Sequence, residues 1–370
     1  MSRKVVKSFF AACACALLVV TVQAQDGHRD RGGNVFVMNN DVDQNRILVY
    51  SQTPSGLRLE DKVATGGRGS GGVTDPLQSQ GSLTLSQDHS FLLAVNAGSG
   101  TISSFRIRHS GLDLADRTPS GGSFPIAVAE HGGLVYVLDA GGNDSVVGFR
   151  LDWRGRLARI PGSVRRLSNN DTGASSLAFS PDGLFLAVTE RLNNQIEVFH
   201  VNGDGTLSAA TITPSNGQVS FSAAFAPNGA LLVTEAGSSA ISSYAVQSTG
   251  ALSVISGSVA TLGGAPCWHE ITPNGKYAYA SNSGTSSLAG FSIGNDGSLT
   301  PLAGTVVGNN PTGATNLDIT ISSDGKFLYT LNSGNGTVGV FAIHKDGSLE
   351  DLGPADGLHA ASGFNGIAAD

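Results

Sequence analysis

Two glutamates, Glu190 and Glu235, are the residues of this sequence best suited to acid–base chemistry. Each ends a similar apolar segment, AVTE and LVTE, at a position where other copies of the segment carry Asn or Asp. Two carboxylates in different environments can divide into a general acid and a general base. Polar side chains at a strand end also cap the following loop, and both interpretations stay open. Arg191, directly after Glu190, could bind a carboxylate or an oxyanion, or pair with an acidic neighbour at the surface.

A second group of reactive side chains is the segment Cys267-Trp268-His269-Glu270. Adjacent residues of a strand point to opposite sides, so Cys267 and His269 share a face and could form a nucleophile and its base. A lone Cys is more often a small buried hydrophobic residue, and the sequence favours that role. His269 is either a ligand contact or a core histidine, and Trp268 is predicted to form a wall of the pocket.

Two polar loops supply further candidates for ligand contacts. The Gly-rich segment from Thr65 to Gln80 could dip over a binding site and present Arg68 or Gln80 to an anion, or it could be a flexible linker. It lacks the Lys and the helix of a phosphate-binding loop. His359 lies in a link near the C-terminus and is either a ligand contact or a surface residue.

The elements that must position these residues belong to a repeat. Seven copies of a strand pattern can be aligned on one polar residue that ends the second strand of each copy, and the copies recur about every 49 residues. We call these the strand-end residues: Asn40, Asn96, Asp139, Glu190, Glu235, Asn282 and Asn332. Four short strands in a repeat of about 40 to 50 residues are typical of a propeller blade.

The ends of the repeat array predict how the ring closes. The first copy begins at Asn34 with its second strand, and Phe364–Ala369 resembles an inner strand with no blade after it. Pairing of this last strand with the first blade would remove both open edges. The sequence therefore predicts an all-β fold over 34–370: a single seven-bladed β-propeller domain closed by the C-terminal strand.

This topology places every strand-end residue and every link between blades on one face of the disc, which we call the linking face. The sequence predicts the ligand site there, at the channel mouth, with Asn96, Asn282 and Asn332 among the substrate contacts. Oxygen atoms of these side chains could also hold Ca²⁺, although a water-filled polar channel explains them as well. Neither metal-ligand spacing nor a cofactor motif occurs, so no metal and no cofactor is predicted. The Asp-Gly turns fall on the opposite face, the turn face.

The composition and the N-terminal segment limit the cellular location and the partners that the protein can have. Residues 1–24 have the basic start, apolar stretch and small-residue cleavage site of a signal peptide, and 25–33 form a charged lead-in. Export to the periplasm or beyond follows, and the mature chain is not expected to insert into a membrane. The net charge of −7 argues against nucleic acid as a partner. Cys267 is the single cysteine after the signal segment, which excludes an intramolecular disulfide there.

Two stretches resemble a known family. Ser180–Glu190 with Ile196–Phe199, and Thr272–Asn282, are similar to the seven-bladed lactonases, which include cycloisomerase-type phosphogluconolactonases and carboxymuconate cyclases. The resemblance implies opening of a sugar-acid lactone or closure of a muconate ring without a metal, at a His, Arg and Glu site. The family Glu corresponds to Glu190, and Glu235 occupies the equivalent position in the next blade, whereas Ser175 stands where the family carries its His.

These observations lead to one hypothesis and one alternative. The hypothesis is an exported lactonase-like enzyme acting on a small carboxylated or sugar lactone. Glu190 is its general base, Glu235 its second carboxylate, and His269 or Arg191 polarises the carbonyl. The alternative is a non-catalytic propeller that binds a ligand or a protein partner on the same face.

Overall fold

The computed structural model describes Met1 and residues 33–53, 56–108 and 111–370. The predicted signal peptide and lead-in lie outside the described residues, apart from Met1 and Gly33. Gly32–Asp370 forms one compact unit. Among the described residues, no helix has the length and apolar character needed to cross a membrane.

Tight turns cut the chain into short strands. After the inner strand of blade four, Ser180 Oγ donates a hydrogen bond to Asp182 Oδ1 at 2.6 Å, and Phe185 N donates to Ser180 Oγ at 2.9 Å. Gly183 completes this turn at a φ of 71°, a left-handed conformation that glycine adopts without steric cost. The same hydroxyl-to-Asx bond recurs in three other blades: Ser86 to Asp88, Thr272 to Asn274 and Ser322 to Asp324.

The described strands form seven antiparallel sheets, the blades, numbered here along the chain. The first blade consists of β1 (Asn34–Met38), β2 (Arg46–Thr53), β3 (Gly56–Ala64) and β29 (Ile367–Ala369). The second consists of β4 (Leu83–Leu85), β5 (Phe91–Asn96), β6 (Thr101–Arg108) and β7 (Gly111–Pro119), with a short 3₁₀ helix at Ala97–Ser99. The third consists of β8 (Pro125–His131), β9 (Leu134–Asp139), β10 (Ser145–Leu151), β11 (Leu157–Arg159) and β12 (Arg165–Arg166).

The remaining blades each have four strands. The fourth consists of β13 (Ala174–Phe179), β14 (Phe185–Glu190), β15 (Gln195–His200) and β16 (Thr211–Pro214). The fifth consists of β17 (Ser220–Phe225), β18 (Leu231–Glu235), β19 (Ala240–Val246) and β20 (Leu252–Ala260). The sixth consists of β21 (Pro266–Ile271), β22 (Tyr277–Asn282), β23 (Ser287–Ile293) and β24 (Leu299–Asn309). The seventh consists of β25 (Asn316–Ile321), β26 (Phe327–Asn332), β27 (Thr337–Ile343) and β28 (Leu349–Ala355).

The ring closes as the sequence predicts. The C-terminal strand β29 supplies the inner strand of the first blade and pairs antiparallel with β1, so that Phe36 faces Ala368 and Val37 faces Ile367. Ile367 and Ala368 are buried. The predicted seven-bladed all-β propeller, closed by its C-terminal strand, is therefore confirmed.

Adjacent blades are joined by apolar packing and by buried tyrosines. Tyr136 of the third blade donates its hydroxyl to the carbonyl of Gly205 at 2.7 Å, and Tyr279 of the sixth donates to Gly347 at 2.8 Å. Both carbonyls belong to Asp-Gly turns of the next blade. These turns therefore lock neighbouring blades together, which is the structural role expected of them.

Candidate functional site

The strand-end residues cap the links between blades. All seven side chains are fully buried. Asn96 illustrates the pattern, because it accepts a hydrogen bond from Thr65 Oγ1 and donates to Ser103 Oγ at 2.9 Å. Asn332 likewise donates to Asn310 in the link that precedes blade seven. Asn96, Asn282 and Asn332 are thus held inside the blades, and none of them lines the channel pocket described below.

Glu190 and Glu235 follow the same capping pattern. Glu190 accepts hydrogen bonds from Ser168 N, Ser168 Oγ and Asn193 Nδ2 at 2.6 to 3.1 Å. Glu235 accepts from Gly217 N at 2.8 Å and from the hydroxyls of Ser242 and Ser258 at 2.6 Å. Both carboxylates are buried and saturated with donors, so the structure does not bring them to the channel. This geometry favours the capping interpretation, and their catalytic role stays a prediction.

Blade four buries a second carboxyl against Glu190. Glu197 lies on β15, is 1% exposed and accepts no hydrogen bond from the described residues. Burial, together with contact with the Glu190 carboxylate, raises the pKa of Glu197 to about 8. At neutral pH the Glu197 carboxyl therefore keeps its proton and donates a hydrogen bond to the Glu190 carboxylate.

We expect Glu197→Gln to stabilise the protein above neutral pH. Between the ordinary pKa of 4.5 and the folded value of about 8, the folded protein holds a proton that the unfolded chain releases. The free energy of unfolding therefore falls as pH rises through this window. A Gln amide donates the same hydrogen bond without ionising, so the variant should lose less stability. Urea unfolding followed by circular dichroism at pH 5 and pH 8 measures this, and parallel pH dependence in both proteins would contradict it.

The Gly-rich loop enters the channel, as one of the two interpretations of its sequence predicts. We call Asp75–Gln80 the strap. Gln80 N donates to the carbonyl of Ser175 at 2.9 Å, and its side chain makes a reciprocal pair with the backbone of His269, donating at 2.7 Å and accepting at 3.2 Å. Ser79 Oγ donates to the carbonyl of Ile126 at 2.8 Å. The strap thereby contacts inner strands of blades three, four and six and plugs the channel.

Glycine is required where this loop passes the first blade. A Cβ on Gly69 would lie 2.1 Å from the carbonyl oxygen of Asn40, a backbone atom that cannot give way. Arg68, next to it, is exposed and does not reach the channel. His359 is also exposed and lines none of the described cavities.

The strap also covers the two buried residues of blade six that the sequence singles out. Trp268 is 1% exposed, donates its indole N–H to the carbonyl of Ser79 at 2.9 Å and packs edge-on against Phe221. It belongs to the core and does not line the pocket. His269 is fully buried and shares a hydrogen bond of 2.5 Å with Ser222 Oγ. Burial lowers the pKa of His269 to about 3, so its ring is neutral.

The pairing of Cys267 with His269, the less favoured interpretation of this segment, does not form. A register shift between Pro266 and Trp268 interrupts the alternation of β21. Cys267 instead lies 4.0 Å from the hydroxyl of Ser283, and among the described residues no hydrogen bond joins its sulfur to His269. Burial raises the pKa of the Cys267 thiol to about 12, which removes the thiolate that a nucleophile needs.

Arg191 lies at the linking-face end of the channel, close to the strap. Its charge lowers the pKa of both Asp75 and Cys267, although burial dominates and raises the pKa of Asp75 to about 6. Asp75 Oδ1 accepts hydrogen bonds from Gln78 N and Asn365 Nδ2 at 3.0 and 3.1 Å. The Nε atom of Arg191 is buried and makes no hydrogen bond to the described residues.

A pocket of about 300 Å³ occupies the other end of the channel, beyond the strap. Gln80 lines it from the strap side, and first-turn residues His89, Pro273 and Ser323 form its rim. The pocket therefore opens on the turn face, opposite to the face that the sequence pattern favours. Its volume is at the lower end of the range of about 300 to 1,000 Å³ found for small-molecule sites.

Two carboxyl groups from neighbouring blades line this pocket. Glu270 lies on β21 and Asp318 on β25, and each accepts a hydrogen bond from the next backbone N–H, at 3.2 and 3.0 Å. Burial raises the pKa of Glu270 to about 7. Burial raises the pKa of Asp318 well above its ordinary value, and the charge of Glu270 raises it further. An ionised Glu270 therefore favours the protonated form of Asp318, and this coupling gives the two carboxyl groups different roles.

The sequence patterns point to some of these pocket residues and not to others. Glu270 is the last residue of the singled-out segment of blade six, but nothing in the spacing of Asp318 marks it. His89 carried a usable signal, because it occupies the turn position where Gly183 and its counterparts stand. Among the described residues, no three His, Cys, Asp or Glu side chains lie together in a way that could hold a metal ion.

The sequence matches a family model over residues 156–261 and 222–356, which together span more than half of the chain. The description of that family is a lactonase with a seven-bladed β-propeller. The chain belongs to this family. Membership confirms the resemblance of its blade motifs, and it supports a lactone hydrolase that acts on a small-molecule lactone.

Solved structures share the fold of this lactonase-family chain. A putative 6-phosphogluconolactonase from Bacteroides fragilis matches with a TM-score of 0.68 and 18% identity, over 92% of this chain and 98% of that chain. The periplasmic gluconolactonase PpgL of Pseudomonas aeruginosa matches with a TM-score of 0.66 and 17% identity, over 91% of this chain and 98% of that one. Identities this low show a common fold only. The comparison with curated proteins found no match.

Proposed function

We propose that the protein is an exported enzyme that hydrolyses a neutral sugar lactone in the turn-face pocket. Glu270 is the general base, and protonated Asp318 polarises the carbonyl. The observation that carries this proposal is the carboxyl pair itself: two neighbouring blades place acids in one small pocket, burial raises the pKa of both, and the charge of Glu270 raises that of Asp318 further. Pairs of this kind divide into an acid and a base.

The chemistry follows from the two protonation states. The Glu270 carboxylate takes a proton from a water molecule as the water oxygen attacks the lactone carbonyl carbon. The Asp318 hydroxyl donates a hydrogen bond to the carbonyl oxygen, where negative charge develops in the tetrahedral intermediate. Collapse of the intermediate breaks the bond between the acyl carbon and the ring oxygen. The product is a hydroxy acid, which releases a proton at neutral pH.

The pocket lining supports a neutral substrate over a charged one. Neither Lys nor Arg lines the pocket among the described residues, whereas Glu270 and Asp318 do. A phosphate or carboxylate group on the substrate would meet an ionised carboxylate, and the described lining of the pocket offers no Lys or Arg to pair with it. This favours the sugar lactone over the carboxylated lactone that the sequence left open. It agrees with the name of the Pseudomonas aeruginosa relative, a periplasmic gluconolactonase.

Metal independence and export are parts of the same proposal. Because water is activated by Glu270, we expect full activity after dialysis against EDTA. The predicted signal peptide supports export, and that relative's periplasmic location agrees with it. Fractionation of cells that express the full chain tests export, and mature protein confined to the cytoplasm would contradict it.

A substrate panel tests the proposed reaction. We expect the purified protein to open glucono-1,5-lactone with a kcat/KM at least about 10-fold higher than that for 6-phosphogluconolactone, since like charges brought together cost 1.4 kcal/mol or more. Acid release followed with a pH indicator measures both rates against spontaneous hydrolysis. No acceleration with any neutral, phosphorylated or carboxylated lactone would contradict the proposal and favour a non-catalytic propeller that binds a ligand or protein partner.

A further inference from the structure

The first turn of blade two departs from the pattern of the other blades. Its hydrogen bond from Ser86 Oγ to Asp88 Oδ1, at 2.7 Å, matches the Ser180–Asp182 bond of blade four. The next residue is His89 instead of a glycine, and its φ is 56°. Four other blades place glycine at this position, at φ values of 69° to 88°: Gly183, Gly229, Gly275 and Gly325. A side chain at this left-handed position costs conformational energy that glycine does not.

Residues that keep an unfavourable backbone conformation cluster at functional sites. His89 is therefore a residue whose side chain calls for an explanation beyond the turn. The turn itself needs no imidazole, because the other blades close it with glycine. The turn of blade two forms part of the pocket rim, as do those of blades six and seven, and it alone of these three carries a side chain that lies beside Asp370, at the end of the closing strand.

The closing strand places an acid beside His89. Asp370 follows β29, and its Oδ1 lies 3.7 Å from Nδ1 of His89. The Asp370 carboxylate raises the pKa of His89, the charge of Asp88 raises it further, and burial opposes both. The pair fixes the imidazole through one nitrogen and leaves the other ring nitrogen for a ligand.

His89 lines the same pocket as Glu270 and Asp318. Asp370 and Asp88 are the acids whose charges act on the imidazole, and both favour its protonated form. The pocket therefore contains two carboxyl groups and, at its rim, an imidazole whose acidic neighbours favour protonation.

Lactone opening requires such a donor. The ring oxygen leaves as an alkoxide, a poor leaving group unless it receives a proton as the bond to the acyl carbon breaks. Glu270 and Asp318 are committed to the water and the carbonyl oxygen. Resting on the proposed function of this pocket, we infer that His89 is the general acid that protonates the leaving ring oxygen, and that Asp370 is its positioning residue.

The step is balanced in protons and electrons. The pair of electrons in the bond from acyl carbon to ring oxygen moves to that oxygen, which takes the proton from the free nitrogen of the imidazolium. The product carries a new hydroxyl group and a carboxylate. Neutral His89 then regains a proton from solvent or from Glu270, which holds the proton removed from water. No oxidant or further reactant is needed.

The alternative is that His89 only anchors the C-terminal end through its contact with Asp370. The two roles predict different substrate dependence. A general acid matters for an alkoxide leaving group and matters little for a phenolate, which leaves without protonation. An anchor that only maintains the pocket affects both substrates equally.

The experiment compares two lactones in His89→Gly, a variant that restores the glycine of the other blades and should fold at least as well. We expect kcat for glucono-1,5-lactone to fall about 10²-fold or more. For dihydrocoumarin, whose leaving group is a phenolate, we expect a fall of less than about 3-fold, in keeping with the leaving-group argument. Added imidazole should restore a large part of the first activity. In Asp370→Asn the fall of kcat at high pH should begin at a lower pH than in the wild type. Its kcat should decrease less than that of His89→Gly.

Each other outcome overturns the inference in a recognisable way. Equal losses on both lactones, unchanged activity on both, or no effect of imidazole would assign His89 a structural role. In those cases wild-type turnover, and its loss in Glu270→Gln, would leave the proposed function intact. If the wild-type protein opens neither lactone, the proposed function itself fails and the role of His89 fails with it. Urea unfolding of each variant shows whether the fold is retained.

Discussion

Glu270→Gln should lower kcat for a neutral sugar lactone by about 10²- to 10⁴-fold, the contribution expected of a general base. Gln keeps the shape of the side chain and can still accept the hydrogen bond that Ile271 N donates to Glu270 at 3.2 Å. It cannot take a proton from water. KM should change little, because the base acts on the attacking water and does not hold the substrate.

The pH profile gives an independent check of the same assignment. Glu270 must be ionised and Asp318 protonated, so the wild-type rate should rise as pH passes through about 7 and fall again at higher pH. The two midpoints belong to the coupled pair and not to either residue alone. In Glu270→Gln the rise near pH 7 should disappear, while in Asp318→Asn the fall at higher pH should be set by His89 alone.

Two further variants decide between this assignment and the earlier candidate base. Glu350→Gln is the matched control, because Glu350 is an exposed residue of the outer strand β28, and its activity should equal that of the wild type. Glu190→Gln should retain turnover if the strand-end carboxylate only caps the link before blade four. Loss of turnover in Glu190→Gln, with full activity in Glu270→Gln, would assign the role of general base to Glu190.

The fold could be read from the sequence because local signals repeat. Four blades contain a turn with Asp or Asn two residues after a Ser or Thr, as in Ser180–Asp182, and the spacing of the seven strand-end residues gives the number of blades. Ring closure follows from simple pairing: β1 has no inner partner of its own, and Ile367–Ala369 has no blade after it. Such inferences depend on short-range hydrogen bonds and on strand count, and both are visible in the sequence.

The position of the site could not be read in the same way. The strand-end pattern places Glu190 at the linking-face end of its strand. It does not show that Ser168 donates hydrogen bonds to the buried carboxylate. Which end of the channel is open depends on the strap, and its contact between Gln80 and His269 joins residues 189 positions apart. Asp318 resembles any other residue of an inner strand until the sixth and seventh blades are placed side by side. Long-range packing determines the surroundings of Glu190, the open end of the channel and the position of Asp318. A single sequence does not show such packing.

Trp268→Ala should be the most destabilising single change near the site, with a loss of about 3 to 5 kcal/mol in the free energy of unfolding. The indole is 1% exposed and packs against Phe221 with ring centroids 5.0 Å apart. Its removal leaves a cavity beneath the strap, and the carbonyl of Ser79 loses the N–H that it accepts at 2.9 Å. Urea unfolding followed by circular dichroism measures the loss.

Trp268→Phe separates the two contributions. The phenyl ring retains most of the apolar burial but cannot donate a hydrogen bond to Ser79. The loss in the free energy of unfolding should therefore be smaller than in Trp268→Ala, because the cavity stays mostly filled. Both variants should increase hydrogen exchange at the Gln80 amide, because the strap is tied to blade six by this indole as well as by the Gln80 side chain. Since Gln80 lines the pocket, a loosened strap should raise KM for the lactone more than it lowers kcat. Unchanged exchange at Gln80 in Trp268→Ala would show that the strap is held in the channel without Trp268, by its bonds to Ser175 and His269 alone.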